Sequence, residues 1–251
     1  LSNNPIYFVV EKEEFNSKHT KLRFKYAYSE SEQAEKIAYM DEEMLKMING
    51  AIQPGMNELE QALAMYQAVV ARIDYDYEWL DALNTSDDKF LFPQIEIYQA
   101  LSTGKGVCHS YTFLYEYALQ QLGVECLRYI GNTTGDPDDG HMWPVVRTDG
   151  EYYQCDPTWD DQGETASLQY FGMSDEARSK AGSPAPYTIG EGGYAVQQDT
   201  LSTDTKFDAV FADVKDFTVD VYGHFVYLST ESSEDGYQNS IGTESFTAAV
   251  G

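Results

Sequence analysis

Three residues of this 251-residue chain have types and spacings that suit nucleophilic chemistry. Cys108 follows two glycines in "TGKGVCHSYTFLY" and opens a run with helical periodicity. At the first turn of a helix, unbonded N–H groups and the positive dipole end stabilise a thiolate, the nucleophilic form of cysteine. Gly104 and Gly106 are expected to let a substrate backbone approach the sulfur. Alone, such a cysteine is more often a small buried residue. The segment "HMWPVVRTDGEYYQCDPTWDD" adds the rest. It holds two strand-like runs around Asp149-Gly150, a strong signal for a two-residue hairpin turn. Counting back from that turn, Thr148 faces Glu151, Val146 faces Tyr153, Trp143 faces Asp156 and His141 faces Thr158. His141, Trp143 and Asp156 then share one sheet face. His141 and Asp156 become diagonal neighbours with backbones roughly 7–8 Å apart, within reach of an imidazole and a carboxylate. A thiol, a histidine base and a carboxylate that orients the base make a set for acyl chemistry. The same register sends Cys155 to the opposite face, as core or as a partner for Cys126. Pro144 also falls there and, lacking an N–H, is expected at an edge or a bulge.

The elements that must position these residues can be read along the chain. "IYFVV" (6–10) and "LRFKYAY" (22–28) read as strands. Ser29 or Ser31 caps a helix whose apolar face carries Ile37, Met40, Met44, Leu45 and Ile48. After Pro54-Gly55 comes a second helix with Leu59, Leu63, Tyr66 and Val70 on one side. "DYDYEWLDALNTSDD" reads as a polar, aromatic loop, and a short helix ends near Gly104. The helix opened by Cys108 repeats Tyr111, Leu114, Tyr115, Ala118 and Leu122, with Gly123 as its stop. "CLRYIGN" is a strand, and the hairpin follows it. "SLQYFGMSDEARSK" reads as a strand and a helical turn, and residues 207–211, 217–221 and 224–229 read as further strands. Helices first and strands later point to an α+β protein.

The formal charge is −26 and the chain has 20 tyrosines. Such a charge repels phosphate backbones and anionic lipid heads, which counts against nucleic acid and membrane surfaces as partners. No apolar run approaches the ~20 residues of a membrane span. The start at Leu1, without a basic segment leading into an apolar one, reads as a trimmed N-terminus whose signal peptide or lipid anchor has been removed. Three cysteines without a CxxC pair suggest neither a disulfide framework nor structural zinc. Asp136, Asp138 and Asp139 in "GDPDDG" lack the spacing of a calcium loop and read as a solvated turn. No metal and no cofactor are expected. His19 and His224 have no partner in the sequence pattern.

These residues resemble the transglutaminase-like superfamily of papain-like cysteine enzymes. "GKGVCHSYTFLYEYALQQLGVECLRYIG" is similar to that family's Gly-x-Gly-x-Cys helix and following strand. "HMWPVVRTDGEYYQCDPTW" resembles its His-x-Trp strand, Asp-Gly turn and Asp-Pro-Thr-Trp ending. "IQPGMNELEQALAMYQAVVARIDYD" resembles the helix before the core in bacterial members, and "QYFGMSDEARSK" the segment after it. The resemblance implies Cys108 as nucleophile, His141 as base, Asp156 as orienter and the Cys108 N–H as an oxyanion donor. It departs at His109, where members often carry a small or acidic residue, and at Pro144, where many carry asparagine. Trp143, Trp159 and His109 are expected to contact substrate. The implied architecture is a catalytic-Cys helix packed on an antiparallel sheet. Residues 1–50 would form an N-terminal strand and helix region, 51–182 the catalytic core, and 183–251 a β-rich extension packed on the core as one unit. The implied activity is cysteine-dependent acyl transfer through a thioester, read here as hydrolysis of a peptide or amide bond. The rivals are a catalytically silent cell-surface binding module and a true amine-acceptor transglutaminase. The expected setting is bacterial, secreted or at the cell surface, with a peptide or protein substrate, a cell-wall peptide among the candidates.

Overall fold

Two helices begin at capping boxes spelled out in the sequence. In the computed structural model, Ser29 opens α1 (Glu30–Ala51): its hydroxyl accepts from the Glu32 N–H, and the Glu32 carboxylate accepts from the Ser29 N–H. Asn57 and Glu60 do the same for α2 (Glu58–Val70). The structure describes residues 9–15, 21–85, 93–132, 140–163, 165–181, 187–189, 195–197, 201–220, 224–233 and 236–242. Before α1, β1 (Val9–Phe15) and β2 (Lys21–Tyr26) pair antiparallel. Residues 6–8 of the first expected strand, His19 and the aspartates Asp136, Asp138 and Asp139 lie outside the described residues. Met40 and Met44 are buried on α1, whereas Leu45 is exposed, one helical step off the packed stripe.

The expected loop after α2 is instead β3 (Asp74–Tyr75) and a helix, α3 (Tyr77–Thr85). The Asp76 carboxylate accepts from the Trp79 N–H, a cap hidden among the acidic residues of that stretch. Next come α4 (Pro93–Thr103), β4 (Lys105–Gly106), which pairs parallel with β3, and α5 (Cys108–Leu122). α5 is the central helix. Tyr111, Leu114, Tyr115 and Ala118 are fully buried, and the helix packs on α2, α4, β5 (Cys126–Asn132) and β6 (Gly140–Thr148). β7 (Glu151–Gln154) completes the hairpin. Asp149 and Gly150 both take positive φ, 53° and 87°, as a two-residue turn matching strand twist requires.

The main sheet is antiparallel, ordered β7-β6-β5-β8-β9, with β8 (Tyr187–Ile189) and β9 (Ala195–Gln197) beyond β5. The hairpin register is Thr148↔Glu151, Val146↔Tyr153 and Val145↔Gln154. Pro144 lies in β6, paired with Arg128 of β5 and without a bulge. It is therefore not at the sheet edge. Its carbonyl accepts from the Cys155 N–H, but it has no N–H to return. The ladder with β7 ends there, and the Asp156 N–H turns away to the Tyr170 carbonyl.

Residues 167–174 form a turn, not a strand, apart from an isolated antiparallel bridge between Met173 and Gln154, and α6 (Asp175–Lys180) follows, capped by Ser174. Residues 207–211 also form a turn, not the expected strand. The Phe211 N–H bonds the Phe207 carbonyl, and the two rings lie 5.4 Å apart, side by side instead of on alternate faces. β10 (Val214–Val219), β11 (Phe225–Ser233) and β12 (Gly236–Gly242) form a second antiparallel sheet. Val214, Phe217 and Phe225 are buried in the same apolar cluster as α2 and α5. Among the described residues no helix is long and apolar enough to cross a membrane.

Candidate active site

Cys108 is the first residue of α5, after Val107 at the cap position. The helix starts there because the Ser110 hydroxyl accepts from the Val107 N–H, and the Ser110 and Tyr111 N–H groups bond the Val107 carbonyl. Gly106 has a different task from the one its position suggests. A Cβ on Gly106 would lie 2.4 Å from the Ser110 Cβ, so glycine makes room for the helix's own first turn rather than for a substrate. The Thr112 hydroxyl bonds both the Cys108 and Met142 carbonyls, tying the first turn of α5 to the start of β6.

His141 is the second residue of β6 and is buried. Its Nε2 lies 2.6 Å from Oδ2 of Asp156, and its ring also bonds the Cys108 sulfur. With Nε2 engaged, Nδ1 is the nitrogen left for the sulfur. The imidazole stacks on Trp159, with centroids 4.9 Å apart and planes 11° apart, and on Trp143 at 5.7 Å. Asp156 has no exposed surface. Its Oδ1 accepts from the Trp159 N–H, and its Oδ2 takes a second donor, Nη2 of Arg178, also at 2.6 Å.

The electrostatics follow from these contacts. Burial opposes the Cys108 thiolate, but the bond and charge of His141, the charge of His109 and the Met142 N–H outweigh it and lower the thiol below its ordinary range. Burial likewise opposes the imidazolium. The charge and hydrogen bond of Asp156, with Cys108 behind them, raise His141 to about 10. Asp156 stays below its usual range despite burial, because His141 and Arg178 both favour the carboxylate. Cys155 is core, pushed up to about 12 by burial, and burial also raises Cys126. All three cysteines are free. Cys126 and Cys155 sit in the main apolar cluster on the α5 side of the sheet, opposite His141.

Of the three residues expected to contact substrate, only Trp159 keeps partial exposure. Trp143 is fully buried, packed on Tyr129, with its indole N–H donating to Gln154. His109 is buried beside Phe113. The residue not singled out in the sequence is Arg178, 22 positions beyond Asp156 and almost fully buried. Its guanidinium lies over the rings of Trp159, Trp143 and Tyr170, at 4.2, 4.8 and 5.6 Å. No local pattern in "SDEARSK" distinguishes it from a surface arginine. Asp160 holds the intervening turn: it accepts from Tyr66, Ser167 and the Tyr170 N–H, and burial raises it to about 7. No group of three or more metal-ligating side chains is present among the described residues.

Residues 46–157 match the family model of the transglutaminase-like superfamily. No curated protein matches the sequence. Among solved structures, the chain is similar to a TGase at 15% identity and a TM-score of 0.41, over 53% of this chain and 34% of that one. It is similar to an arylamine N-acetyltransferase from Salmonella typhimurium at 14% identity and a TM-score of 0.40, over 83% and 66%. A third similarity is to arylamine N-acetyltransferase C from Bacillus anthracis, at 12% identity and a TM-score of 0.39, over 84% and 95%. The chain thus spans about a third of that TGase and just under two thirds of the Salmonella enzyme.

Proposed function

We propose that the chain, whose residues 46–157 match the transglutaminase-like family model, is a cysteine hydrolase that cleaves a peptide or amide bond through a thioester on Cys108. The observation that carries this reading is the relay Cys108–His141–Asp156, closed by the 2.6 Å contact between His141 and Asp156. A thiol lowered and an imidazole raised, in contact with each other, favour a thiolate–imidazolium ion pair. The thiolate adds to the substrate carbonyl carbon, and the oxyanion forms near the Cys108 N–H, which has no partner within its own helix. The imidazolium of His141 gives its proton to the departing amine as the C–N bond breaks. Water then adds to the thioester, passing a proton to His141, and the carboxylic acid leaves as the C–S bond breaks. Asp156 holds the imidazole in one orientation throughout. Cys108 keeps partial surface exposure, so water can reach the thioester.

A chain of formal charge −26 attracts cationic peptides and repels polyanions. We place the protein outside the bacterial cell or on its surface, acting on a peptide or protein, cell-wall peptides included. The test is mass spectrometry of a peptide pool containing glutamine and lysine, with and without a labelled primary amine. Hydrolysed or deamidated products that vanish in Cys108→Ala are expected. Efficient Cys108-dependent incorporation of the amine would assign a transferase instead, and no acyl chemistry on any pool would assign a binding module.

A further inference from the structure

We propose that Arg178 is a positioning residue that keeps the buried relay electrically neutral and thereby holds Cys108 as a thiolate. The inference rests on the reading of Cys108 and His141 as the reacting pair. It concerns a residue beyond the matched domain, on the short helix α6.

In the thiolate–imidazolium ion pair, Cys108 is negative, His141 positive and Asp156 negative, a net negative charge in a site where Asp156 and His141 are 0% and 7% exposed. An uncompensated buried charge is costly, and the usual escape is to take up a proton. Here the proton would go to the thiolate, ending its nucleophilicity. Arg178 supplies the missing positive charge. It is 1% exposed and bonds the same Oδ2 that His141 bonds, each at 2.6 Å. A guanidinium keeps its charge throughout the working pH range.

His109 on α5 adds its charge on the Cys108 side; Arg178 acts at the carboxylate end of the relay. Asp160 and Cys155 beside β7, and Tyr66 on α2, are groups that burial keeps protonated in acid. Arg178 is the cation that bonds Asp156 besides His141.

The placement of Arg178 is built. Ser174, the cap of α6, gives its N–H and its hydroxyl to the two carboxylate oxygens of Asp208, each at 2.7 Å. Gln154, at the end of β7, donates to Asp175 at 2.6 Å while accepting from the Trp143 indole. Helix α6 is therefore pinned to the strand that leads into Asp156. The faces of Trp143 and Trp159 then hold the guanidinium in place and exclude water from it.

The experiment is the pH dependence of iodoacetamide alkylation at Cys108, read site by site by mass spectrometry, in wild type, Arg178→Gln, Arg178→Lys and Lys180→Gln. It needs no substrate. Wild type should alkylate at Cys108 well below the pH of an ordinary thiol. In Arg178→Gln the rise in rate should move up by at least about one pH unit, a tenfold slower reaction near pH 6. Arg178→Lys should stay within a factor of about three of wild type at that pH. Lys180→Gln, on the exposed side of the same helix, should match wild type. An unmoved profile in folded Arg178→Gln overturns the inference. If that variant does not fold, Arg178→Lys decides: a tenfold loss there would mean that charge is not what Arg178 supplies. Wild-type Cys108 reacting as an ordinary thiol would instead overturn the assignment of the reacting pair.

Discussion

Replacing Asp156 by asparagine tests the relay and its burial together. In the native protein the Asp156 carboxylate accepts from three donors: the Trp159 N–H on Oδ1, and His141 and Arg178 on Oδ2. Asparagine keeps the volume but offers one oxygen and one NH2 group. If the oxygen faces Arg178 and His141, the NH2 meets the Trp159 N–H. If the group flips, the NH2 meets two donors. Either way the Arg178 charge, 1% exposed, loses its counter-ion. Removing one partner of a buried ion pair costs about 3–5 kcal/mol. Against a typical total stability of about 5–15 kcal/mol, the variant stays folded but weakened. At roughly 3 kcal/mol per molar urea, the unfolding midpoint should fall by about 1 M or more. Tryptophan fluorescence reads it, since Trp143 and Trp159 both flank the site. Cys108 alkylation near pH 6 should slow at the same time, because His141 loses the carboxylate that raises it. A midpoint within about 0.3 M of wild type would refute the reasoning, since a closed, desolvated ion pair cannot be broken at so small a cost.

Three further outcomes are expected. Iodoacetamide at neutral pH should label Cys108 much faster than Cys126 or Cys155, because only the first thiol is lowered while the other two are raised by burial; preferential labelling of Cys155, resolved by peptide mapping, would contradict the register of the hairpin. Burial raises Glu116 from 4.5 to about 7 against the pull of Arg128, so the stability it contributes is full below about pH 4 and is lost as pH rises through 7; Glu116→Gln should flatten the fall in urea-derived stability across that window by up to about 3 kcal/mol. Gly106→Ala places a Cβ 2.4 Å from that of Ser110, which should cost about 1–3 kcal/mol in thermal or urea unfolding and displace the turn that presents Cys108; an unchanged midpoint and alkylation rate would mean that the first turn of α5 yields freely.

The parts legible in the sequence were those fixed by local rules. The Asp149-Gly150 turn sets the hairpin register from Thr148↔Glu151 to Val145↔Gln154; the expected pairs of Trp143 with Asp156 and His141 with Thr158 are not formed, because the ladder ends at Pro144, yet the chain still brings Asp156 onto His141. Ser29 and the stripe on α5 likewise announced their helices, because caps and helical periodicity act over a few residues. What escaped depends on partners distant in the chain. Residues 77–85 look polar, yet they fold as a helix on the cap of Asp76. Pro144 reads as an edge residue, but β5 covers one side of its strand and the ladder on the other side ends at the proline itself. Trp143 and His109, expected to contact substrate, are buried: Tyr129 and Gln154 hold the first and Phe113 lies beside the second, which acts on Cys108 through its charge instead. Arg178 is the sharpest case. Its own segment marks it as an ordinary surface cation, and only the tertiary structure decides otherwise, by pinning α6 to β7 through Gln154 and Asp175 and so bringing a permanent charge onto a fully buried carboxylate.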